Sequence, residues 1–201
     1  SIEGFKYTFD LGIKAIEFDV LISKDNIPVL FHDYTLNTNM VKDENGNWID
    51  NFDLKIMDLT YDQISNYSIE SLKPGSGYSD RFKNQKSVEG AKIPKLIDLF
   101  KLANKENYKD VFLNLEVKSN PNLKDVTPEP KEMVTTILKD IKDYNLEDRI
   151  VVTSFDWRIL YELKKQNPNV LRGFLTLQQN LGSRKKNIYE NSPWINKTFS
   201  L

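Results

Sequence analysis

The second half of the chain alternates between short apolar strands and amphipathic helices, and this order constrains the fold more than any other feature. The pattern is clearest where apolar residues at every second position alternate with polar ones. The predicted elements are helices at Lys95–Lys105, Pro128–Tyr144 and from Asp156 to about Gln166, with strands at Val111–Lys118, Ile150–Ser154 and Leu171–Thr176. A strand–helix–strand–helix order predicts an α/β fold with parallel strands.

The stretch from Gly12 to Asp33 is apolar and β-prone, yet it carries the carboxylates of Glu17 and Asp19. Residues two apart on a strand point to the same face, so these carboxylates are expected to lie roughly 7 Å apart. They repel each other unless a cation or a basic group lies between them. A hard cation such as Mg²⁺ or Ca²⁺ would relieve that repulsion. The alternative is a pair of solvated carboxylates at the end of a strand.

His32 is the single histidine of the chain. A tight turn centred on Asp25-Asn26 predicts a hairpin that sets Asp19 directly opposite His32, with Cβ atoms roughly 5 Å apart. An imidazole beside a dicarboxylate metal site is suited to metal-assisted acid–base chemistry. Asp33 is expected either to orient His32 or to cap the following loop. The alternative for His32 is a purely structural role.

The predicted strand Val111–Lys118 carries Glu116 and Lys118 on its polar face. Charged side chains that face a core are costly unless they are paired or bind a ligand. One interpretation is an ion pair between the two, or an exposed edge strand. In a barrel the same face would point inward near the mouth, where ligands bind. Glu116 would then add a third carboxylate to the metal site and Lys118 a cation for an anionic substrate, which favours metal-bound phosphate chemistry.

Length and composition exclude several classes of protein. The 201 residues are enough for one domain with a substantial core. The net charge of −1, with mixed signs, does not indicate nucleic acid or an anionic membrane surface as a partner. The chain has no cysteine for disulfides or thiol chemistry, and no apolar run long enough to span a bilayer.

The N-terminal region is predicted to begin with a helix, Ile2–Leu11, capped by Ser1 and ended by Gly12. Residues 34–92 are irregular and are predicted to form an insertion on one side of the core. This stretch contains a turn at Asn45-Gly46, a capping box at Thr60-x-x-Gln63 and a loop at Lys73–Tyr78.

Five motifs in order resemble the glycerophosphodiester phosphodiesterase family. They are Ile16-Glu-Phe-Asp-Val20, Val29-Leu-Phe-His-Asp-Tyr-Thr-Leu36, Ile93-Pro-Lys-Leu96, Leu113-Asn-Leu-Glu-Val-Lys118 and Val152-Thr-Ser-Phe-Asp156. The resemblance implies a (β/α)₈ TIM-barrel fold of the PLC-like phosphodiesterase superfamily, which hydrolyses glycerophosphodiesters to glycerol 3-phosphate and an alcohol.

The resemblance also implies roles for individual residues. It assigns Glu17, Asp19 and Glu116 to a divalent cation, Ca²⁺ or Mg²⁺, makes His32 one of two catalytic histidines, and gives Lys118 a contact with the substrate phosphate. Ser154 and Phe155 lie at the end of a predicted barrel strand. They are therefore expected to line the substrate pocket, with core packing as the alternative.

The chain departs from the family pattern at both ends. The family's first strand, with its His-Arg-Gly motif, would lie upstream of Ser1, and residues 183–201 carry no predicted barrel strand. Five candidate strands, near Glu17, His32, Glu116, Ser154 and Phe174, are too few to close an eight-stranded barrel of about 250 residues. We therefore expect a single partial barrel domain, truncated at both ends, with impaired activity by itself. The stretch Leu72-Lys-Pro-Gly-Ser-Gly-Tyr78 and the insertion around it resemble the longer bacterial members, several of which are exported.

Three alternatives stay open. A sphingomyelinase D-like or lysophospholipase D-like enzyme would need an apolar, aromatic rim, for which Trp48, Phe52 and Tyr78 are candidates. A non-catalytic barrel would keep the metal site without turnover, and a metal-free α/β domain would use the acidic residues in ion pairs. The expected partner is a small-molecule glycerophosphodiester, with no nucleic acid and no stable membrane insertion. The oligomeric state and the compartment stay open, with a periplasmic or exported location as one alternative.

Overall fold

The computed structural model describes residues 1–123, 125–177 and 192–195. Within these residues, the strands form one five-stranded sheet in the order β2-β1-β3-β4-β5. The strands are β1 (Ala15–Ile22), β2 (Pro28–Leu30), β3 (Phe112–Val117), β4 (Ile150–Ser154) and β5 (Leu171–Phe174). The helices are α1 (Ile2–Asp10), α2 (Tyr61–Ile64), α3 (Gly77–Arg81), α4 (Leu96–Ala103), α5 (Pro130–Asp143) and α6 (Trp157–Gln166). Three 3₁₀ turns lie at Ile56–Asp58, Glu106–Tyr108 and Glu147–Arg149.

The central strands are parallel, as the alternating pattern predicts. Strand β1 pairs with β3, β3 with β4, and β4 with β5, all in parallel, while β1 and β2 form an antiparallel hairpin. The sheet of the described residues is open, with β2 and β5 at its edges. This architecture confirms the expected α/β fold and agrees with an incomplete barrel.

The helix ends follow local capping rules. The Ser1 hydroxyl accepts a hydrogen bond from the Gly4 amide at the start of α1, and Gly12 follows this helix with a φ of 82°. The predicted capping box is confirmed, since Thr60 and Gln63 bond reciprocally at the start of α2.

The core has two main apolar clusters. The larger one fills the space between the sheet and helices α4, α5 and α6, and it contains the apolar face of β3, with Leu113 and Leu115 fully buried. The second cluster joins the β1–β2 hairpin to residues 34–92, so that this irregular stretch packs on the hairpin. Its buried members are Leu21, Val29, Phe31, Leu36, Val41, Ile49, Ile56, Ile64 and Ile93.

The predicted hairpin register is wrong by one residue. Val20 pairs with Leu30 and Ile22 with Pro28, so Asp19 is not directly opposite His32, which lies beyond the end of β2. The reason is a longer turn than Asp25-Asn26 alone. The Ser23 amide donates to the Ile27 carbonyl at 3.0 Å, and the Ser23 hydroxyl accepts from the Ile27 amide at 3.0 Å.

The predicted end of the loop Lys73–Tyr78 is also wrong, because helix α3 already begins at Gly77. The Ser76 hydroxyl accepts a hydrogen bond from the Ser79 amide, and this cap starts the short helix α3 at Gly77. The expectation that residues 183–201 add no barrel strand falls outside the described residues except at 192–195. None of the helices in the described part of the chain is long and apolar enough to cross a membrane.

Candidate metal and phosphate site

Three carboxylates meet on adjacent strands. The parallel register sets Asp19 beside Glu116, and Glu17 lies two residues before Asp19 on the same face of β1. One carboxylate oxygen from each of the three residues lies within 4.8 Å of the other two. The structure therefore brings together all three predicted metal ligands.

The ammonium group of Lys118 lies beside this cluster. Its Nζ lies 2.9 Å from Glu116 Oε1 and 3.6 Å from Asp19 Oδ1, and the Lys118 side chain is only 14% exposed. The predicted ion pair between Glu116 and Lys118 is thus present. The ion pair does not exclude the inward-facing site, because Glu116 is itself one of the three carboxylates and Lys118 lies beside them.

The charges of the cluster are not balanced by Lys118 alone. Burial, followed by the negative charges of Asp19 and Glu116, raises the pKa of Glu17 above its ordinary value. Three carboxylates facing one ammonium group leave an excess of negative charge in a partly buried place. An all-oxygen donor set of this kind fits a hard divalent cation such as Mg²⁺ or Ca²⁺.

His32 lines the same cleft as Glu17 and Asp19, and its side chain is held by Asp33. The distance between His32 Nδ1 and Asp33 Oδ1 is 2.7 Å, and the Asn37 side-chain amide donates to Asp33 Oδ2 at 2.6 Å. A carboxylate only accepts hydrogen bonds, so Nδ1 carries the proton of this bond and Nε2 is left for other partners. The bond to Asp33 raises the pKa of His32, and the same bond lowers the pKa of Asp33.

An open cleft of about 470 Å³ connects these groups with the segment 34–92. Glu17, Asp19 and His32 line one part of it. The other part is lined by apolar and aromatic side chains together with one arginine. These residues are Phe5, Met40, Ile69, Tyr78, Arg81 and Phe82. Of the three aromatic residues that the sequence offered for a lipid-binding rim, Tyr78 lines this cleft, whereas Trp48 and Phe52 do not.

Ser154 and Phe155 lie at the end of β4, as predicted, but their side chains differ in how exposed they are to solvent. The Ser154 side chain is fully buried, and its hydroxyl donates to the Val117 carbonyl at 2.9 Å. Phe155 is partly exposed directly after the strand.

Sequence reasoning missed two polar residues next to the site. Asn37 supports Asp33 from a loop position, four residues along the chain, with no periodic pattern to indicate it. Tyr34 is half-buried, and burial, followed by the charges of Glu116, Asp156 and Asp19, raises its pKa. A signal for Tyr34 was available in principle, because it follows the His32-Asp33 pair directly.

Known proteins are similar to this chain in sequence and in structure. A family model described as the glycerophosphoryl diester phosphodiesterase family matches residues 1–192. A glycerophosphodiester phosphodiesterase of Caldanaerobacter subterraneus is 30% identical over 175 residues, covering 87% of this chain and 60% of that protein. A glycerophosphocholine phosphodiesterase of Homo sapiens is 27% identical over 169 residues, covering 78% of this chain and 25% of that protein.

A solved structure from Silicibacter pomeroyi, described as a glycerophosphoryl diester phosphodiesterase, matches with a TM-score of 0.80 and 32% identity. The match covers 87% of this chain and 58% of that chain. The chain thus spans about three fifths of the length of the bacterial relative and of this solved structure.

Proposed function

The chain belongs to the glycerophosphoryl diester phosphodiesterase family, and from this premise we propose that the whole protein hydrolyses glycerophosphodiesters to glycerol 3-phosphate and an alcohol. The family is generally dependent on a divalent cation, and the carboxylate cluster has the donor set for one. We propose Ca²⁺ or Mg²⁺ as the ion, because both prefer oxygen ligands.

One observation carries the proposal. Glu17, Asp19 and Glu116 converge with Lys118 on one side of the sheet, and His32 lies at the same cleft. Carboxylates for a cation, an ammonium group for a phosphate and an imidazole for proton transfer are groups suited to phosphodiester hydrolysis. A cation bound by the carboxylates would polarise the phosphodiester and offset its negative charge.

The remaining roles follow from the contacts of the side chains. The Lys118 ammonium, next to Glu116, is placed to contact the substrate phosphate by a charge-assisted hydrogen bond. His32, with its Nδ1 proton held by Asp33, presents Nε2 for proton transfer to or from the reacting oxygen. Phe155 is assigned to the wall of the substrate pocket at the end of β4.

The segment 34–92 is proposed as an insertion within a single domain, supplying one wall of the cleft. The second apolar cluster, which joins this segment to the β1–β2 hairpin, supports that assignment. Met40, Ile69, Tyr78 and Phe82 give this wall an apolar part, which would face the alcohol moiety. The lipid-acting alternative is less well supported, because Trp48 and Phe52 do not line the cleft.

The test uses the natural protein that contains this chain. Release of glycerol 3-phosphate from glycerophosphocholine is measured with Ca²⁺, with Mg²⁺ and with EDTA, in parallel with release of choline from lysophosphatidylcholine. We expect metal-dependent turnover of glycerophosphocholine, lost in His32→Ala by about 10²-fold or more and retained in the exposed turn variant Glu44→Gln. Turnover of lysophosphatidylcholine alone would instead establish the lipid-acting enzyme. Metal binding without turnover of either would indicate a non-catalytic barrel.

A further inference from the structure

A buried acid at the end of β4 has no part in the chemistry proposed above. Asp156 is fully buried, and its carboxylate accepts hydrogen bonds from Arg158 Nε at 2.9 Å and from Arg158 Nη2 at 2.7 Å. A further contact reaches the chain just after β3, where the Ser119 hydroxyl donates to Asp156 Oδ2 at 2.7 Å. The bidentate contact with Arg158 compensates the buried charge and fixes the plane of the carboxylate.

Ser154 makes the second connection between the same two chain segments. Its hydroxyl accepts a hydrogen bond from the Asp156 amide at 3.1 Å and donates to the Val117 carbonyl at 2.9 Å. The two bonds of Ser154 and the bond between Ser119 and Asp156 are buried, where hydrogen bonds are stronger than those exposed to water.

These contacts hold the two residues that flank Lys118 along the chain, Val117 and Ser119. The peptide unit between Val117 and Lys118 is bonded at both ends, since Ser154 holds its carbonyl and its N–H donates to the Val20 carbonyl at 3.0 Å. The next residue, Ser119, is held by Asp156. The backbone on both sides of Lys118 is therefore fixed by side chains from β4 and its end.

We propose that Ser119, Ser154 and Asp156 form a clamp that positions Lys118 for the substrate phosphate. The inference rests on the proposed function, in which Lys118 is the phosphate contact. A lysine side chain is long and flexible, so a fixed backbone limits the positions that its ammonium group reaches. In the structure Lys118 Nζ lies 2.9 Å from Glu116 Oε1 and points toward the carboxylate cluster. The clamp residues are positioning residues, because none of them contacts the proposed metal or phosphate position.

The clamp predicts that its mutations act through Lys118. Ser119→Ala removes one hydrogen bond but leaves Asp156 paired with Arg158, which makes it the mildest change. We expect kcat/KM for glycerophosphocholine to fall at least tenfold, because small displacements of a catalytic contact have large effects on rate. In a Lys118→Met background the same substitution is expected to lower kcat/KM by less than twofold. Ser154→Ala tests the other side of the clamp in the same two backgrounds.

Thr153→Val is the matched control. The Thr153 hydroxyl also joins β4 to β3, by bonds to Asn114 Oδ1 at 2.9 Å and to the Leu115 carbonyl at 3.4 Å, but these bonds reach neither Val117 nor Ser119, the two neighbours of Lys118. We expect Thr153→Val to change kcat/KM by less than twofold. A loss of the same factor for Ser119→Ala with and without Lys118→Met would overturn the clamp, as would an equal loss in Thr153→Val.

A second readout does not require activity. Amide hydrogen exchange at Lys118 and Ser119, measured by NMR on the natural protein, is expected to be at least tenfold faster in Ser119→Ala and unchanged in Thr153→Val. Unchanged exchange in Ser119→Ala would overturn the clamp whatever the enzyme does. A natural protein with no turnover of any glycerophosphodiester, but with faster exchange in Ser119→Ala, would overturn the proposed function while keeping a clamp on the Lys118 backbone.

Discussion

His32 Nδ1 and Asp33 Oδ1 are 2.7 Å apart, so two residues that are adjacent in sequence form one hydrogen-bonded pair at the cleft. The bond raises the pKa of His32 and lowers the pKa of Asp33, because each group favours the charged form of the other. Asn37 donates to the second oxygen of Asp33 and holds the carboxylate in place. The pair therefore fixes both the proton and the orientation of the imidazole.

The first prediction concerns the titration of this imidazole. Asp33→Asn removes the largest cause of the raised pKa, so the pKa of His32 is expected to fall. In an NMR titration of the natural protein, the imidazole signals of His32 are identified by their absence from the spectrum of His32→Ala. The titration is done in EDTA, with the exposed Asp53→Asn as the matched control, in which the pKa of His32 stays as in the wild type. An unchanged pKa in Asp33→Asn would contradict the role of this bond.

The same pair gives a pH dependence of stability. The pKa of His32 is above its unfolded value of 6.5, so its contribution is complete below that pH and is lost as pH rises through the folded pKa. The pKa of Asp33 is below its unfolded value of 3.8, so its contribution is present above that pH. The loss of stability in Asp33→Asn is therefore expected to be greater at pH 5.5 than at pH 8.5. Urea unfolding at the two pH values measures the difference.

Glu17 is expected to lower the stability of the metal-free protein and to supply one ligand oxygen when a cation binds. Its raised pKa means that ionisation of Glu17 costs stability in the metal-free protein as pH rises from the unfolded pKa to the folded one. Glu17→Gln is therefore expected to raise Tm in EDTA at pH 7. It also removes one ligand oxygen, so the increase in Tm on adding Ca²⁺ or Mg²⁺ should become smaller. For the wild type, a cation at a hundredfold excess over Kd adds about 2.7 kcal/mol.

Thermal unfolding with EDTA, Ca²⁺ and Mg²⁺ tests both expectations for Glu17→Gln in one experiment: the higher Tm in EDTA and the smaller increase in Tm with metal. Glu44→Gln, in the exposed turn near Asn45, is the control and should match the wild type in all three conditions. A Glu17→Gln variant that is less stable than the wild type in EDTA would contradict the cost of ionising Glu17 that burial and the neighbouring carboxylates impose.

The parts of this fold that could be predicted are those set by local patterns. Strand β3 was predictable because Leu113 and Leu115 alternate with polar residues, and α2 because Thr60 and Gln63 have capping-box spacing. The meeting of Glu17 and Asp19 with Glu116 followed once β1 and β3 were recognised as strands of one parallel sheet.

The parts that could not be predicted depend on contacts distant in sequence or on single side-chain bonds. The hairpin register was wrong because the Ser23 hydroxyl closes a longer turn, which no two-residue turn rule anticipates. The wall formed by Tyr78 and Phe82 depends on how residues 34–92 pack on the hairpin. The contact between Ser119 and Asp156 joins residues 37 positions apart, and no periodicity indicates it.

Gly173 is expected to be intolerant of a side chain. A Cβ at this position would lie 2.6 Å from Thr153 Cγ2, on the paired strand β4. Gly173→Ala should therefore lower the free energy of unfolding by about 1–3 kcal/mol, as overpacking does in other cores. Gly77→Ala is the control, because a Cβ there meets nothing within 4 Å and alanine favours the helix α3.

A second substitution tests the cause of that loss. Thr153→Ser removes Cγ2 but keeps the hydroxyl that donates to Asn114. The double variant Gly173→Ala with Thr153→Ser is expected to recover most of the stability lost in Gly173→Ala, as measured by urea unfolding. Purely additive losses would show that the Thr153 methyl group is not what the new side chain meets.

Asp140 is a buried carboxylate on α5 whose removal should stabilise the protein. The residue is 9% exposed, and its Oδ2 has no hydrogen-bond partner among the described residues. Burial raises the pKa of Asp140, so its ionisation costs stability as pH rises from the unfolded pKa to the folded one. Asp140→Ala is expected to raise the free energy of unfolding at pH 7 by about 1 kcal/mol, because it removes the unpaired charge and favours the helix. The gain should shrink at pH 3, where the carboxyl group is protonated in both states.

Asp143→Ala is the control, because it removes an exposed carboxylate of the same helix that is paired with Lys139. This variant should change the free energy of unfolding by no more than about 0.5 kcal/mol. A gain equal to that of Asp140→Ala would assign the effect to helix propensity alone.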